Sequence, residues 1–532
     1  MLKKERVQYI GFAAIVAFAF LTICSRSSFI YIFNNWDDAN SYFTMGKVMM
    51  NGGVFYRDSF DQKGPLLYFI YGLAYLISHN TFKGVFVMEI ISLSVFLVAQ
   101  YKILRLYLKH ETALFFMPFV ALVVTSCKSF YWGGSAEEFC LPFLAWGLFF
   151  SLKYFKEEHP KVMSPKILFL CGVLAGCIML IKYTMLGMYF FWMAMIAFST
   201  FNRKTWKDSI RNCVIFLAGM IAPMIPWAIY FGVNEALDDW YHAYIYCNIF
   251  FYSDWGQESV GIGKKIYDLA KIMYWLIWDN FIYFSMIILG FVGFLFSRKV
   301  KLFEKINIYG MFGFLFLGIF IGGTTLFYYS LPLSLFAVFG FAVLGKVFEK
   351  IFGLIEKKKI SNSANGDSRI ENGEKVASLE EDGNEILSRK LSKLILLLGQ
   401  VVVVMSLLFA AWNLSMNTEY AKETGEDYYL YQFRDIVWQE ENPTLLNIGC
   451  LDAGLYTVAD IMPNCKYFQS NMVNGFDEVA EQQLQYIKDK KIDFIISTEN
   501  YPPEIWETYE LIKETEYDMY GGAHKYFLFK KK

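Results

Sequence analysis

The chain has 532 residues, 56% of them hydrophobic and 19% aromatic, with a mean hydropathy of +0.34. A soluble domain does not hide that much apolar surface, and here it falls into runs divided by charged clusters, which excludes a soluble enzyme and points to a polytopic α-helical membrane protein. The 49 Lys/Arg and 50 Asp/Glu cancel to a net charge of −1 but are strongly segregated, and nine scattered cysteines offer neither a CxxC pair nor metal-ligand spacing.

In chain order, apolar runs predict helices over 9–25, 84–104, 111–127, 138–155, 166–181, 184–200, 212–231, 273–297, 305–322, 326–349 and 393–412. The first has no small-residue cleavage site and reads as a retained helix. A further run, Pro65–Ile77, is thirteen residues long, the length of an interfacial or re-entrant segment. If it does not cross, Lys3, Lys4, Arg6, Lys102, Arg105, Lys109, Lys153, Lys156, Arg203, Lys204, Arg298 and Lys299 all share one side. The opposite short turns carry only Lys128 and Lys182. Positive residues stay inside. The expected protein therefore has eleven spans in a plasma membrane, with its N-terminus cytoplasmic and its C-terminus extracytoplasmic.

This divides the chain into a transmembrane domain, 1–412, and a soluble tail, 413–532. Within the first lie an extracytoplasmic loop, 26–83, and a polar, Ser/Asn/Glu-rich stretch, 360–388, expected to be a disordered cytoplasmic loop. The tail carries 11 Lys/Arg against 21 Asp/Glu, a net charge of −10. Strand candidates at 444–449, 465–470, 493–498 and 524–529 alternate with helical stretches such as 476–490, an α/β pattern. Gly449–Gly454 lacks the spacing of a phosphate-binding glycine loop. Cys450 and Cys465 would face an oxidising side, and their pairing is not readable from sequence.

The densest ionisable cluster is in the first loop. Asp37 and Asp38 follow Trp36 just past the end of the first span, and Arg57, Asp58, Asp61 and Lys63 come in quick succession. Such groups at a membrane interface are costly unless used. Tyr42 and Phe43 recur as Met49 and Met50 seven residues on, one face of a short helix with the two acids at its start. The helix dipole there favours an ionised carboxylate, as a general base requires, though an acid at that position also serves as a plain N-cap.

This segment resembles the first extracytoplasmic loop of the GT-C glycosyltransferases that use polyprenyl-phosphate sugars, the group containing protein O-mannosyltransferases and aminoarabinose transferases. The resemblance rests on Trp36-Asp37-Asp38, Tyr42, Gly52-Gly53, Asp61 and Lys63-Gly64-Pro65-Leu66-Leu67-Tyr68, over residues 34–78. Asp38 stands where Glu is usual, and Gly64 where Pro is usual. Weaker matches follow: Glu137 and Glu138 entering a helix, Lys182 at an outer turn, and Tyr328-Tyr329 with Pro332. The resemblance implies inverting transfer of a hexose or pentose from a polyprenyl-phosphate donor to an acceptor hydroxyl, with no cofactor. Asp37 is then the base and Asp38 its neighbour in orienting acceptor. Lys63, Arg57, Lys182, Tyr328 and Tyr329 would serve donor phosphate and lipid, and Tyr42, Asp61, Glu137 and Glu138 would shape the substrate site.

Plainer roles exist for each. Lys63 can snorkel at a helix end, Arg57 can clip Asp58 or Asp61, the two glutamates can solvate a helix start, and the tyrosines can belong to an aromatic belt. Asp238, Asp239, His242, Asp254 and Glu258 in the loop 232–272 are of metal-ligand type but have no fixing spacing, and a groove-shaping role is expected of that loop. The donor lipid, the bilayer and an unidentified glycan, lipid or protein acceptor are the implied partners; nucleic acid is not. The competing classes are a transporter or flippase of lipid-linked sugars and a catalytically silent membrane subunit. Transporters show internal repeats and acids within spans. No repeat is found here, and the spans hold few acids beyond Glu89.

Overall fold

The computed structural model describes residues 2–201, 206–251, 261–323, 325–366, 399, 401–425, 428–470, 476–498, 500–519 and 522–532. Each of the eleven predicted apolar runs is helical where described. Helix α1 (Leu2–Cys24) packs on α4 (Lys83–Arg105) and α5 (His110–Thr125); α4 packs in turn on α6 (Ala136–Lys153). Beyond α7 (Pro165–Met179) and α8 (Gly187–Phe201), α9 (Trp206–Ile221) and α10 (Ile225–Val233) form one long apolar rod. By length and composition five helices are able to cross a bilayer: Glu5–Cys24, Lys83–Arg105, Trp206–Val233, Leu302–Phe320 and Phe327–Leu354. Several others are shorter than a bilayer requires.

One predicted span is broken. The run 273–297 divides into helices Ile262–Asp279 and Phe281–Phe296, which meet at 111°. Asn280 between them leaves helical geometry (φ −127°, ψ 43°). Its side chain accepts the Ser129 N–H at 3.0 Å and donates to Ser330 Oγ at 3.3 Å, so neighbouring turns hold the break. The expected disordered loop, 360–388, lies outside the described residues except for 360–366, which extend the helix Val338–Gly366.

Two short helices carry the first loop. In α2 (Asp37–Met50) the acids occupy the first turn and Lys47 the last, each matched to the dipole. In α3 (Pro65–Ile77) proline at the first position presets the helical φ. The two lie in close contact because neither Gly46 nor Gly72 has a side chain. A Cβ on Gly46 would stand 2.4 Å from the Gly72 nitrogen.

The tail forms a four-stranded sheet of order β1-β2-β4-β3, from β1 (Leu445–Ile448), β2 (Phe494–Ser497), β3 (Tyr509–Met519) and β4 (Gly522–Lys531). Strands β1 and β2 are parallel; β4 runs antiparallel to both β2 and β3. Alternation splits its side chains. Leu446, Ile448, Ile495 and Phe529 close a small core on one face, while Leu445, Phe494, Ile496 and Leu528 join the core continuous with the membrane helices. Predicted strand 465–470 is instead an irregular segment beside β1, donating and accepting only isolated bonds such as Asn447 N–H to Phe468 O at 2.9 Å. Cys450 and Cys465 are both free thiols.

Candidate active site

The first loop, the start of α6, the α7–α8 turn and the 3-10 helix Phe327–Ala337 converge on the N-terminal end of α2. Asp38 is the hub. Its Oδ2 accepts the Tyr328 hydroxyl at 2.6 Å, and its Oδ1 lies 3.7 Å from Lys63 Nζ. Lys63 also stands over the Tyr42 ring, 5.7 Å from its centroid. Tyr42 is 1% exposed, and its hydroxyl has no partner among the described residues. Lys182 pairs with Glu137 and stands 3.6 Å above the centroid of the Tyr329 ring. Glu137 is buried and its second oxygen, Oε2, is unpartnered among the described residues.

The two lysines come from segments more than a hundred residues apart, and Gly64 lets their backbones touch. Gly64 N–H donates to Ile181 O at 3.2 Å and Leu66 N–H to Leu180 O at 3.0 Å. A Cβ on Gly64 would lie 2.1 Å from the Leu180 oxygen, so any side chain there separates the turns. Tyr68 completes the brace: its hydroxyl donates to Asp61 Oδ2 at 2.7 Å and accepts the Lys63 N–H at 2.8 Å. Burial raises the Asp61 carboxyl above its ordinary range, against the opposing pull of Lys63.

Asp37 is the less engaged acid. Among the described residues its Oδ1 accepts only the N–H of Asp38, at 2.9 Å. Burial, then the charge of Asp38, pushes it up to about 7, with Lys63 opposing. Desolvation therefore outweighs the helix dipole expected to keep it ionised. Its charge also opposes ionisation of Cys450 and Tyr526, which the tail brings close.

Two sequence candidates stand apart from this cluster. Arg57 is exposed and turned to Asp58 (2.8 and 3.0 Å) and to the Asn234 carbonyl (2.9 Å), a clip on the loop surface. Glu138 points away from Lys182 and accepts the Gly134 N–H at 2.8 Å. In the loop 232–272, Asp239 pairs with Lys466 at 2.9 Å and His242 stacks on Tyr246. Asp254, Trp255 and Glu258 lie outside the described residues.

Sequence reading missed the tail's grip on α2. Thr44 donates to Asp452 Oδ2 at 2.6 Å, and Ser41 to Gln469 Oε1 at 2.6 Å. Lys47, fully buried, donates to the Tyr456 carbonyl at 2.9 Å and pairs with Asp460 at 2.9 Å. Arg26, at the end of α1, lies between the rings of Trp132 and Tyr420, 4.1 Å from each, and bonds Glu423 at 3.2 Å. Lys47, the one cation of α2, was the available signal.

A family model described as dolichyl-phosphate-mannose-protein mannosyltransferase matches residues 62–230, a stretch that contains Lys63, Glu137 and Lys182. Compared with curated proteins, the sequence finds no match. Among solved structures, ArnT from Cupriavidus metallidurans bound to undecaprenyl phosphate superimposes with a TM-score of 0.58 at 12% identity, covering 99% of this chain and 98% of that one. Its apo form gives 0.57 at 11%, with the same coverage. The fold is thus ArnT-like across the chain, and the resemblance read from the first loop, to the glycosyltransferases of polyprenyl-phosphate sugars, is borne out by both the family model and the fold.

Proposed function

We propose that this chain is a membrane glycosyltransferase that moves a sugar from a polyprenyl-phosphate donor to an acceptor hydroxyl at the outer face of the membrane. The observation that carries this reading is the joining of two lysine-bearing turns, at Lys63 and Lys182, beside an adjacent acid pair. Asp37 takes the proton of the acceptor hydroxyl as that oxygen attacks the anomeric carbon. The bond from that carbon to the phosphate oxygen breaks, and the electron pair leaves with the polyprenyl phosphate. Lys63 and Lys182 receive the dianion that forms. Attack opposite the leaving group inverts the anomeric centre. The oxocarbenium character of the transition state is favoured by the nearby carboxylates. Asp38, held by Tyr328 and Lys63, positions the acceptor side.

A base that titrates near 7 suits this role, because about half of it is unprotonated at neutral pH and it is basic enough to take a proton. The unpartnered Tyr42 hydroxyl and Glu137 Oε2 are groups for substrate hydroxyls to bond. The test is transfer from a panel of labelled polyprenyl-phosphate sugars by the purified protein, with membrane extract as acceptor. Label is expected to reach an acceptor from at least one donor, leaving free polyprenyl phosphate. Failure to consume any donor in the panel would contradict the reading.

A further inference from the structure

A cavity of about 540 Å³ is lined in part by Phe327, the residue before Tyr328 of the acid–lysine cluster. One wall is the helix Ile262–Asp279, which presents Lys264, Asp268 and Lys271 along a single stripe. Lys128 and Asp279, paired at 2.9 Å, close another side. The lining carries three lysines against two aspartates. Asp279 is matched by Lys128, and Asp268 balances one of the two remaining lysines at most. Among the described residues one cation is left over, so their charge favours an anion.

The same helix fixes the depth at which that anion would sit. It turns by 111° from the helix Phe281–Phe296 and so runs across the end of the apolar bundle. Tyr267, Tyr274 and Trp278 flank the lysine stripe, within about 80° of it around the helix, and Ile266 lies across from it; all four are 54–67% exposed. An amphipathic helix whose lysines are flanked by exposed tyrosine and tryptophan lies at the headgroup level of a bilayer. A pocket of this volume accommodates a small polar headgroup.

We propose that this cavity binds the anionic phosphate headgroup of a membrane lipid, with Lys264 and Lys271 as its principal ligands. The site is separate from the acid–lysine cluster and requires no transfer activity. It places a charged lipid next to the segment that carries Tyr328 and Tyr329.

The test uses the full chain in nanodiscs of phosphatidylcholine, with and without phosphatidylglycerol, and a third arm adding glycerol 3-phosphate to the phosphatidylcholine discs. Acylation of individual lysines is followed by mass spectrometry, with Lys265 of the same helix, which does not line the cavity, as internal reference. Phosphatidylglycerol is expected to slow labelling of Lys264 and Lys271 about tenfold relative to Lys265. Protection by glycerol 3-phosphate alone would assign the site to a soluble ester and overturn the lipid source. Equal labelling in all three arms would overturn the site. In native mass spectrometry the exposed double variant Lys264→Gln/Lys271→Gln is expected to retain phosphatidylglycerol about thirtyfold less well. Unchanged retention would also contradict the proposal.

Discussion

Helix α2 has two buried polar flanks with different charged partners. Toward the tail, Thr44, Ser41 and Lys47 bond Asp452, Gln469, the Tyr456 carbonyl and Asp460 across the joint, while Asn40 Oδ1 and Thr457 Oγ1 are unpartnered among the described residues. Toward the lysine turns, the Tyr42 hydroxyl and Glu137 Oε2 are buried without partners among the described residues, and Lys63 lies 3.7 Å from Asp38. Leaving a buried polar group unbonded costs about 1–3 kcal/mol, so a fold retains such groups where something else is to bond them. The tail flank has the character of a structural joint. The lysine flank is the one proposed to bind substrate.

The comparison can be broken most forcefully at Lys182. Replacing it alone strands Glu137 as a buried charge, so the informative variant is Lys182→Met combined with Glu137→Gln. The pair is expected to fold normally by thermal melting and to lose about a hundredfold or more in transfer rate, the scale of removing one charged donor from an oxyanion site. Retained transfer would make the pair structural, like the tail flank. Gly64→Ala comes next. Its Cβ would collide with the Leu180 oxygen, so the two lysines move apart; a loss of about thirtyfold in rate is expected, with about 1–3 kcal/mol of stability. A smaller loss in rate than in stability would uncouple the turn from catalysis.

The pH profile sharpens the same contrast. A base titrating at about 7 must be unprotonated to act, so transfer falls as pH drops, to about a tenth of its plateau at pH 6. A profile flat from pH 5.5 to 8 would exclude Asp37 as base. The mildest expected effect is on the tail side. Burial raises Asp452 from its ordinary 3.8 to about 6. The folded state thus holds that proton more tightly than the unfolded one, a contribution present below about pH 4 and lost as pH rises through about 6. Asp452→Asn should flatten the decline in melting temperature between pH 4 and 7 and change transfer by less than about threefold. A large catalytic loss in that variant would show that the joint is part of the site.

Much of this site is written in one contiguous stretch of sequence. Asp37, Asp38, Tyr42, Asp61 and Lys63 stand out because charged groups cluster beside an apolar span, and they fold into a single neighbourhood. Lys182 was visible as a lone cation on the charge-poor side, and Tyr328-Tyr329 only through the resemblance. Arg57 was equally conspicuous, yet it satisfies itself on its own neighbour, Asp58, a local choice that composition does not reveal. The tail's grip on α2 was hard to read because its partners are about four hundred residues apart and only Lys47 stands out alone. Strand β3, interrupted by Glu510, Lys513, Glu514, Glu516 and Asp518, gives no apolar run, and its pairing with β4 supplies what its sequence lacks. Asn280 broke a span because polar neighbours at Ser129 and Ser330 rewarded a non-helical turn within an apolar run.

The central claim is that Asp37, and not its neighbour, takes the proton. The direct measurement is the transfer rate of Asp37→Asn beside Asp38→Asn across pH, with whichever donor the panel identifies. The account predicts that Asp37→Asn is slowed at least about a hundredfold and no longer responds to pH near 7, while Asp38→Asn keeps the rise with pH at a reduced rate. Wild-type activity in Asp37→Asn, or loss of the pH response only in Asp38→Asn, would contradict it.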